Sequence, residues 1–228
     1  MSINVRSTVI QQLREAFIVE RADTPELVRE AHRLRHQVYC VERGYEAGDH
    51  GLEIDAFDAR AHHAVMRHRA SGEVMGTVRL VLASDSGADE CFPMQSVCDV
   101  SLPHHLPIAT TAEISRFAIS KRQRDLTGVS SAIMRLGLMQ GIVLLSGELG
   151  VTHWCAMMEP SLLRLLQASA IHFRPVGSLV DFHGLRQPSI GGVDEILGRM
   201  AQEAADVWEF ITDGGQLWKR DIAQRIAA

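Results

Sequence analysis

The sequence predicts an α/β fold, a mixed central β-sheet with helices on its faces. Three observations predict it. Period-two apolar runs alternate with segments of helical period. The helical segments carry their own start signals, as at Thr24-Pro25. Turn residues separate the elements, and no linker divides the 228 residues. One domain over 1–228 is expected, with 193–228 as a C-terminal helical tail.

The elements follow in order. Residues 7–16 suit a short helix, and Phe17 to Ala22 a strand. Thr24 as N-cap, Pro25 at the first helical position and Glu26 next start a helix. Leu27, Val28, Ala31, Leu34 and Val38 carry it towards Gly44. His63–His68 and Glu73–Ala83 form a hairpin about Ala70-Ser71-Gly72. Residues 84–110, with Gly, Pro, Asp and Ser throughout, read as a long functional or mobile loop. Thr111–Ser120 is a strand, 130–149 a helix, Val151–Met158 a buried strand and Pro160–Ala170 a helix. Strands near 171–176 and 179–182 and one helix over 193–212 complete the order. The stripe Ile196, Met200, Val207, Phe210 and Ile211 packs on its own domain or makes a dimer, so an oligomer is a possibility.

Composition excludes several classes. Net charge is −5, with 46% hydrophobic and 22% charged residues, as in a globular chain. The start lacks the pattern of a secretory signal, and the most apolar stretch, Gly141–Gly147, is too short to span a bilayer. Cys40, Cys91, Cys98 and Cys155 form no CxxC pair, which suits a reduced, cytoplasmic setting. The doublets His62-His63 and His104-His105 point to opposite faces of a strand, so no metal is expected. Acidic charge without a basic, aromatic-studded stripe argues against nucleic acid. All but Lys121 and Lys219 of the 23 basic residues are arginine. Genome composition explains most of that excess, but some arginines can serve as forks for carboxylates or phosphates.

Three segments carry candidate chemistry. Lys121 to Ser131 places Arg122, Arg124, Gly128, Ser130 and Ser131 at a helix start, where backbone N–H groups and the dipole can cradle an anion. An ordinary solvated turn explains it equally well. Glu53, Asp55 and Asp58 crowd three carboxylates into six residues, which needs solvent or cations. Glu53 alone reads as exposed. Asp55 and Asp58 read as presented inward by a loop that Phe57 pins, with Arg35, Arg79 and Arg116 as partners. In the strand Ala112–Phe117, period two puts Glu113, Ser115 and Phe117 on one face and Arg116 on the other. A structural buried ion pair is the plainer account of these charges.

Together these residues resemble a known family. Arg35-His-Gln-Val-Tyr39, Tyr45, Glu53-x-Asp55-x-Phe57-Asp58, Gly76-x-x-Arg79-Leu80, Phe92-Pro93 and Glu113-Ile-Ser-Arg116-Phe117 are similar to the acyl-homoserine-lactone synthases. Val38-Tyr39-Cys40 and Phe182-His-Gly-Leu-Arg-Gln-Pro188 look closer to the N-acyl amino acid synthases and the exosortase-associated acyltransferases. The resemblance spans roughly residues 17–192. It implies the GNAT (acyl-CoA N-acyltransferase) fold and an N-acyltransferase with no permanently bound cofactor. The donor is an acyl-phosphopantetheine thioester, on acyl carrier protein or CoA, whose arm enters by the Arg122–Ser131 turn. The acceptor is the amino group of an amino acid or similar small amine.

Lactone synthases usually carry Phe and Trp where this chain has Tyr39 and Tyr45, which turns the expectation away from an S-adenosylmethionine acceptor. Glu113 is the expected general base, with Phe117 and Ala118 N–H groups for the oxyanion. Arg35, Arg79 and Arg116, with Asp55 and Asp58, would hold the acidic loop closed or bind an acceptor carboxylate. Tyr39, Tyr45 and Phe92 would line the substrate pocket, and Met134, Met139, Met157 and Met158 pack the core or line an acyl tunnel. Cys40 and Cys155 lack a neighbouring His that would make either a nucleophile. The rival readings are a true acyl-homoserine-lactone synthase and, in another class, a non-catalytic acyl-thioester-binding module.

Overall fold

The computed structural model describes residues 10–11, 13–84, 92–98, 102, 106–121 and 131–218, with no account of the side chains of 131–133. Residues 10–11 and 13–16 are helical. The chain then runs through β1 (Phe17–Arg21), α1 (Pro25–Arg35), a π-helical turn (His36–Glu42), a 3-10 turn (Ala56–Arg60), β2 (Ala61–His68) and β3 (Val74–Leu82). After β4 (Thr111–Ile119) come α2 (Ser131–Leu149), β5 (His153–Met158) and α3 (Pro160–Gln167). β6 (Arg174–Pro175), β7 (Val180–Asp181), β8 (Leu185–Gly192), α4 (Val193–Glu203) and α5 (Ala205–Ile211) complete it.

The start of α1 is as its residues dictate: Thr24 accepts a hydrogen bond from the Leu27 N–H at 3.2 Å and Pro25 opens the first turn. The helix does not run on as α. It widens into the π-helical turn that carries Val38 and Tyr39.

The sheet order is β1-β2-β3-β4-β5-β8-β6, with β7 beside β8. Neighbours are antiparallel except β4 and β5, which pair in parallel over only Thr111–Glu113 and His153–Cys155. Past Glu113 the ladder ends, so β4 continues against β3 alone and β5 against β8 alone. The main core lies between the sheet and α2, where Leu138, Ile142, Val143 and Leu145 meet Ala64, Met66, Val78 and Leu80. The approach is close enough that a Cβ on Gly141 would stand 2.7 Å from the Ala64 Cβ. α1 covers the other face through Ala31 and Leu34 against Val65 and Val74.

Three expectations are corrected. The strands read at 171–176 and 179–182 are two-residue ladders, and the full strand is β8. Turn-forming residues Gly184, Pro188, Gly191 and Gly192 hide it. The Pro188 carbonyl accepts the Val176 N–H at 2.9 Å, so the proline nitrogen points towards short β6 and not into the β5 ladder. The helix over 193–212 breaks at Ala204, whose φ of −149° leaves the helical region. Its apolar stripe (Ile196, Met200, Val207, Phe210, Ile211) is buried in the main core. Within the expected 84–110 loop, Pro93–Ser96 is a 3-10 turn, and Phe92, Met94, Leu102 and Leu106 form a second core with Cys155 and Ile190.

Candidate active site

Where β4 and β5 part, a cavity of about 640 Å³ opens. One end is apolar, with Met139 and Ile142 from α2, Met157 and Met158 from β5, Leu165 from α3, and Phe173. The other is polar, with Tyr39, Tyr45, Glu46, Asp55, Arg116, His183 and Arg186. Met134 stays in the main core, 0% exposed.

Behind the polar end lies a charge network built from four elements. Arg35 ends α1, the acids precede β2, Arg79 is on β3 and Arg116 on β4. Arg35 donates Nε to Glu53 at 2.5 Å and both terminal nitrogens to Asp58. Arg79 donates Nη1 to Asp55 at 2.7 Å and Asp58 at 2.9 Å, and Nε to the Ser115 hydroxyl at 3.0 Å. Arg116 donates Nη2 to Glu53 at 2.9 Å, Asp55 at 3.1 Å and Glu46 at 3.3 Å. Three guanidiniums thus meet four carboxylates, Glu53, Asp55 and Asp58 of the acidic loop and Glu46, and this pairing makes burial tolerable. Burial works to raise the Asp58 carboxyl, but His63 and Arg35 hydrogen bonds and the charges of Arg35 and Arg79 hold it well below the usual carboxylate range.

The network revises the sequence reading in detail. Glu53, expected exposed, is 2% exposed. The acidic loop is pinned by a capping box and not by Phe57: the Asp55 carboxylate accepts the Phe57 N–H at 2.9 Å, and Asp58 accepts the Asp55 N–H at 2.8 Å. Arg116 does not face away from Ser115. Its φ is +49°, at a bulge where the β3–β4 register shifts, so strict alternation fails and the guanidinium reaches the acidic loop that Arg79, the partner of Ser115, also holds.

Glu113 stands at the fork between the strands and lines the cavity. It is 3% exposed, and one oxygen accepts the Met94 N–H at 2.7 Å. Burial pushes its carboxyl up to about 8, against the lowering effects of that bond and of Arg79 and Arg116.

Of the other expected site residues, Tyr39, Tyr45 and Phe117 line the cavity, and the Tyr39 hydroxyl donates to the Phe117 carbonyl at 3.3 Å. Phe92 is 0% exposed and packs in the second core beside Met94, and is not itself a lining residue. Ala118 is also buried and pairs with Thr77. Arg35, Arg79 and Asp58 do not line the cavity; Arg79 and Asp58 bind Asp55, which does, and Arg35 supports them through Asp58 and Glu53. Arg122, Arg124, Gly128 and Ser130 lie outside the described residues, and Ser131 is described only as the first residue of α2.

Sequence reasoning missed Glu46, His183, Glu159 and Arg186 at the mouth. The Phe182–Pro188 segment was noticed as a motif but carried no role. It also missed His32, which joins His63 and Asp58 with ligand atoms all within 4.8 Å. A doublet on one strand could not chelate, but the fold brings a helix histidine to one member of it. Both Asp58 oxygens are already held by guanidiniums, so a cation there would face Arg35 and Arg79.

Residues 34–133 match the family model described as an acetyltransferase (GNAT) domain. No curated protein matches the sequence. Among solved structures, the AHL synthase LasI superposes with a TM-score of 0.61 at 18% identity over 78% of this chain and 90% of its own. FeeM, an N-acyl amino acid synthase from uncultured soil microbes, gives 0.60 at 17%, over 82% and 96%. BjaI, a CoA-dependent acyl-homoserine lactone synthase, gives 0.61 at 18%, over 90% and 92%. These likenesses place the expected fold on a mixed sheet that is antiparallel except at one pair of strands. The chain has the GNAT fold, and its residues 34–133 match the GNAT acetyltransferase domain.

Proposed function

We propose that the protein moves a long fatty acyl group from a thioester to the amino group of an amino acid or similar small amine. One observation carries this reading. A single cavity is lined by both an apolar set and a charged set of side chains, and Glu113, at the end of the β4–β5 ladder, lines it as well. The apolar set takes the acyl chain, and the charged set takes the acceptor. The N-acyl amino acid synthase FeeM is a structural neighbour that supports an amino-acid acceptor.

A thioester is already activated, so aminolysis asks mainly for orientation and proton transfer. An α-ammonium titrates near 8 and a thiol near 8.5, and Glu113 is pushed up to about 8. That match suits transfer between the two. The expectation of Glu113 as general base takes a sharper form. Mostly protonated at neutral pH, it starts as the acid that gives a proton to the departing thiolate. It then recovers a proton from the acylated nitrogen, so that one proton passes in effect from nitrogen to sulfur. The N–H of Phe117, at the β4 bulge, is the donor for the oxyanion. Arg35, Arg79 and Asp58 act at one remove by fixing Asp55 and Arg116, and Arg116 is the group for an acceptor carboxylate.

The donor arm enters at 122–131, and an acyl carrier protein is the preferred donor because residues 111–135 hold five basic and two acidic residues. BjaI, CoA-dependent by description, keeps acyl-CoA in the comparison. We take the chain as one acyltransferase unit acting in the cytoplasm; no described helix is long and apolar enough to cross a membrane.

The test is mass spectrometry of products from the purified protein given acyl-CoA or acyl carrier protein with each amino acid in turn. An N-acyl amino acid is expected. A lactone formed only with S-adenosylmethionine would replace this reading, and donor binding without any product would leave a binding module.

A further inference from the structure

We infer that His183 is a second proton-transfer residue, taking the proton that the acceptor's ammonium must lose before it can attack. The inference rests on the proposed acylation of an amine and assigns a chemical role at that same site.

The hairpin of β7 and β8 ends in Phe182-His183-Gly184, closed by a Phe182 N–H to Gly184 carbonyl bond at 3.0 Å. His183 sits at φ +53°, a left-handed conformation that a histidine rarely takes. Arg186 fixes the turn by donating Nη2 to the His183 carbonyl at 2.9 Å, and is itself paired with Glu159 at 2.7 Å. The effect is to hold the imidazole over the mouth. Its ring stacks on Tyr45 at 4.7 Å with planes 12° apart and meets Phe182 at 4.4 Å. Its Nε2 lies 3.7 Å from Glu46, whose same oxygen accepts from Arg116 at 3.3 Å. The charged groups about the ring are therefore Glu46 from the opposite wall, Arg43 over the Tyr45 ring, Arg186 and Glu159 below, and Arg116 behind Glu46.

Proton balance gives this histidine a task. An ammonium and a thioester become an amide, a thiol and one free proton: the C–N bond forms and the C–S bond breaks. One proton passes from nitrogen to sulfur, and a second must leave for solvent. Glu113, 3% exposed, can shuttle the first inside the cavity but is poorly placed to discharge the second. The His183 side chain is 29% exposed, lines the same cavity, and has a carboxylate beside it to steady the imidazolium.

The test uses H183G, because glycine is at ease at a positive φ and its backbone turn is kept. With donor binding intact, kcat should fall by a factor of about 10²–10⁴, and added imidazole should restore at least a tenth of the loss. H183N, also tolerant of that backbone, should show the same fall without depending on glycine's flexibility. A wild-type kcat in either variant overturns the proposal, as does a loss that imidazole does not relieve or one confined to KM. Wild-type protein with no amine acylation at all would instead overturn the proposed function.

Discussion

Arg35 holds Asp58 with both terminal nitrogens of its guanidinium, Nη1 to Oδ1 at 2.6 Å and Nη2 to Oδ2 at 2.9 Å, and Asp58 is only 6% exposed in its side chain. A point charge at the end of a lysine can satisfy one of these oxygens, but not both and Glu53 as well. R35M, which leaves buried Asp58 only the guanidinium of Arg79 and Glu53 only that of Arg116, should cost about 3–5 kcal/mol, read from urea unfolding midpoints. Lysine at Arg35, Arg79 or Arg116 should cost less, but measurably in each case. Lysine tolerated at all three would return the arginine excess to genome composition alone.

Glu113 carries a proton at neutral pH, and E113Q imitates that neutral form. The variant should keep acyl-donor binding and lose kcat by about 10²-fold or more. It should also change the pH dependence of stability. The folded carboxyl sits at about 8 against 4.5 unfolded. Stability from the neutral form is thus complete below 4.5 and is lost as pH rises through 8. Wild-type stability should fall relative to E113Q across that window, by an amount on the order of 3–5 kcal/mol. Parallel urea curves for the two proteins at pH 5 and pH 8.5 would refute the buried neutral state.

His32 works in the opposite direction. Burial, together with Arg35 and His63, lowers it to about 4 from 6.5. The unfolded chain binds that proton first, so stability falls as pH drops from 6.5 towards 4. H32Q should flatten this part of the stability profile while leaving the neutral-pH activity largely in place. Unchanged slopes in denaturation at pH 4.5 and 6.5 would contradict it.

In the proposed reaction, the apolar side chains of the cavity set acyl length. Leu165 on α3 lines that cavity and is only half-buried, so the fold tolerates a larger side chain there. L165W should shift preference towards shorter acyl donors by several-fold in kcat/KM, measured by competition between chains of graded length.

In the proposed reaction, the basic residues Arg122 and Arg124 favour a carrier-bound donor. Reversing Arg122 and Arg124 to Glu should raise KM for carrier-bound acyl groups far more than for acyl-CoA. Equal effects on the two donors would remove the acyl carrier protein from the reading.

Local signals made much of this molecule legible. Thr24 and Pro25 mark the start of α1 because a cap depends on neighbours in sequence. The alternation in β2 and β3 marks their hairpin for the same reason. The partnership of Arg35, Arg79 and Arg116 with the acidic loop was also foreseeable, because three close carboxylates must find cations. Yet Glu53 was misjudged, since its burial depends on Arg35 and Arg116, which stand 18 and 63 positions away.

By itself, then, the sequence determined most of the element types, the cap of α1, the pairing of three arginines with the acidic loop and the resemblance that implied an acyl thioester. Only the tertiary structure decided the rest. It bulged β4 at Arg116 and ended the β4–β5 ladder at Glu113. It also hid β8 behind turn residues, placed Phe92 in a core and not in the cavity, and carried His183 across to Glu46. The physical reason is range. Caps and periodicity are settled within a few residues, whereas bulges, strand divergence and desolvation are set by packing between segments far apart in the chain.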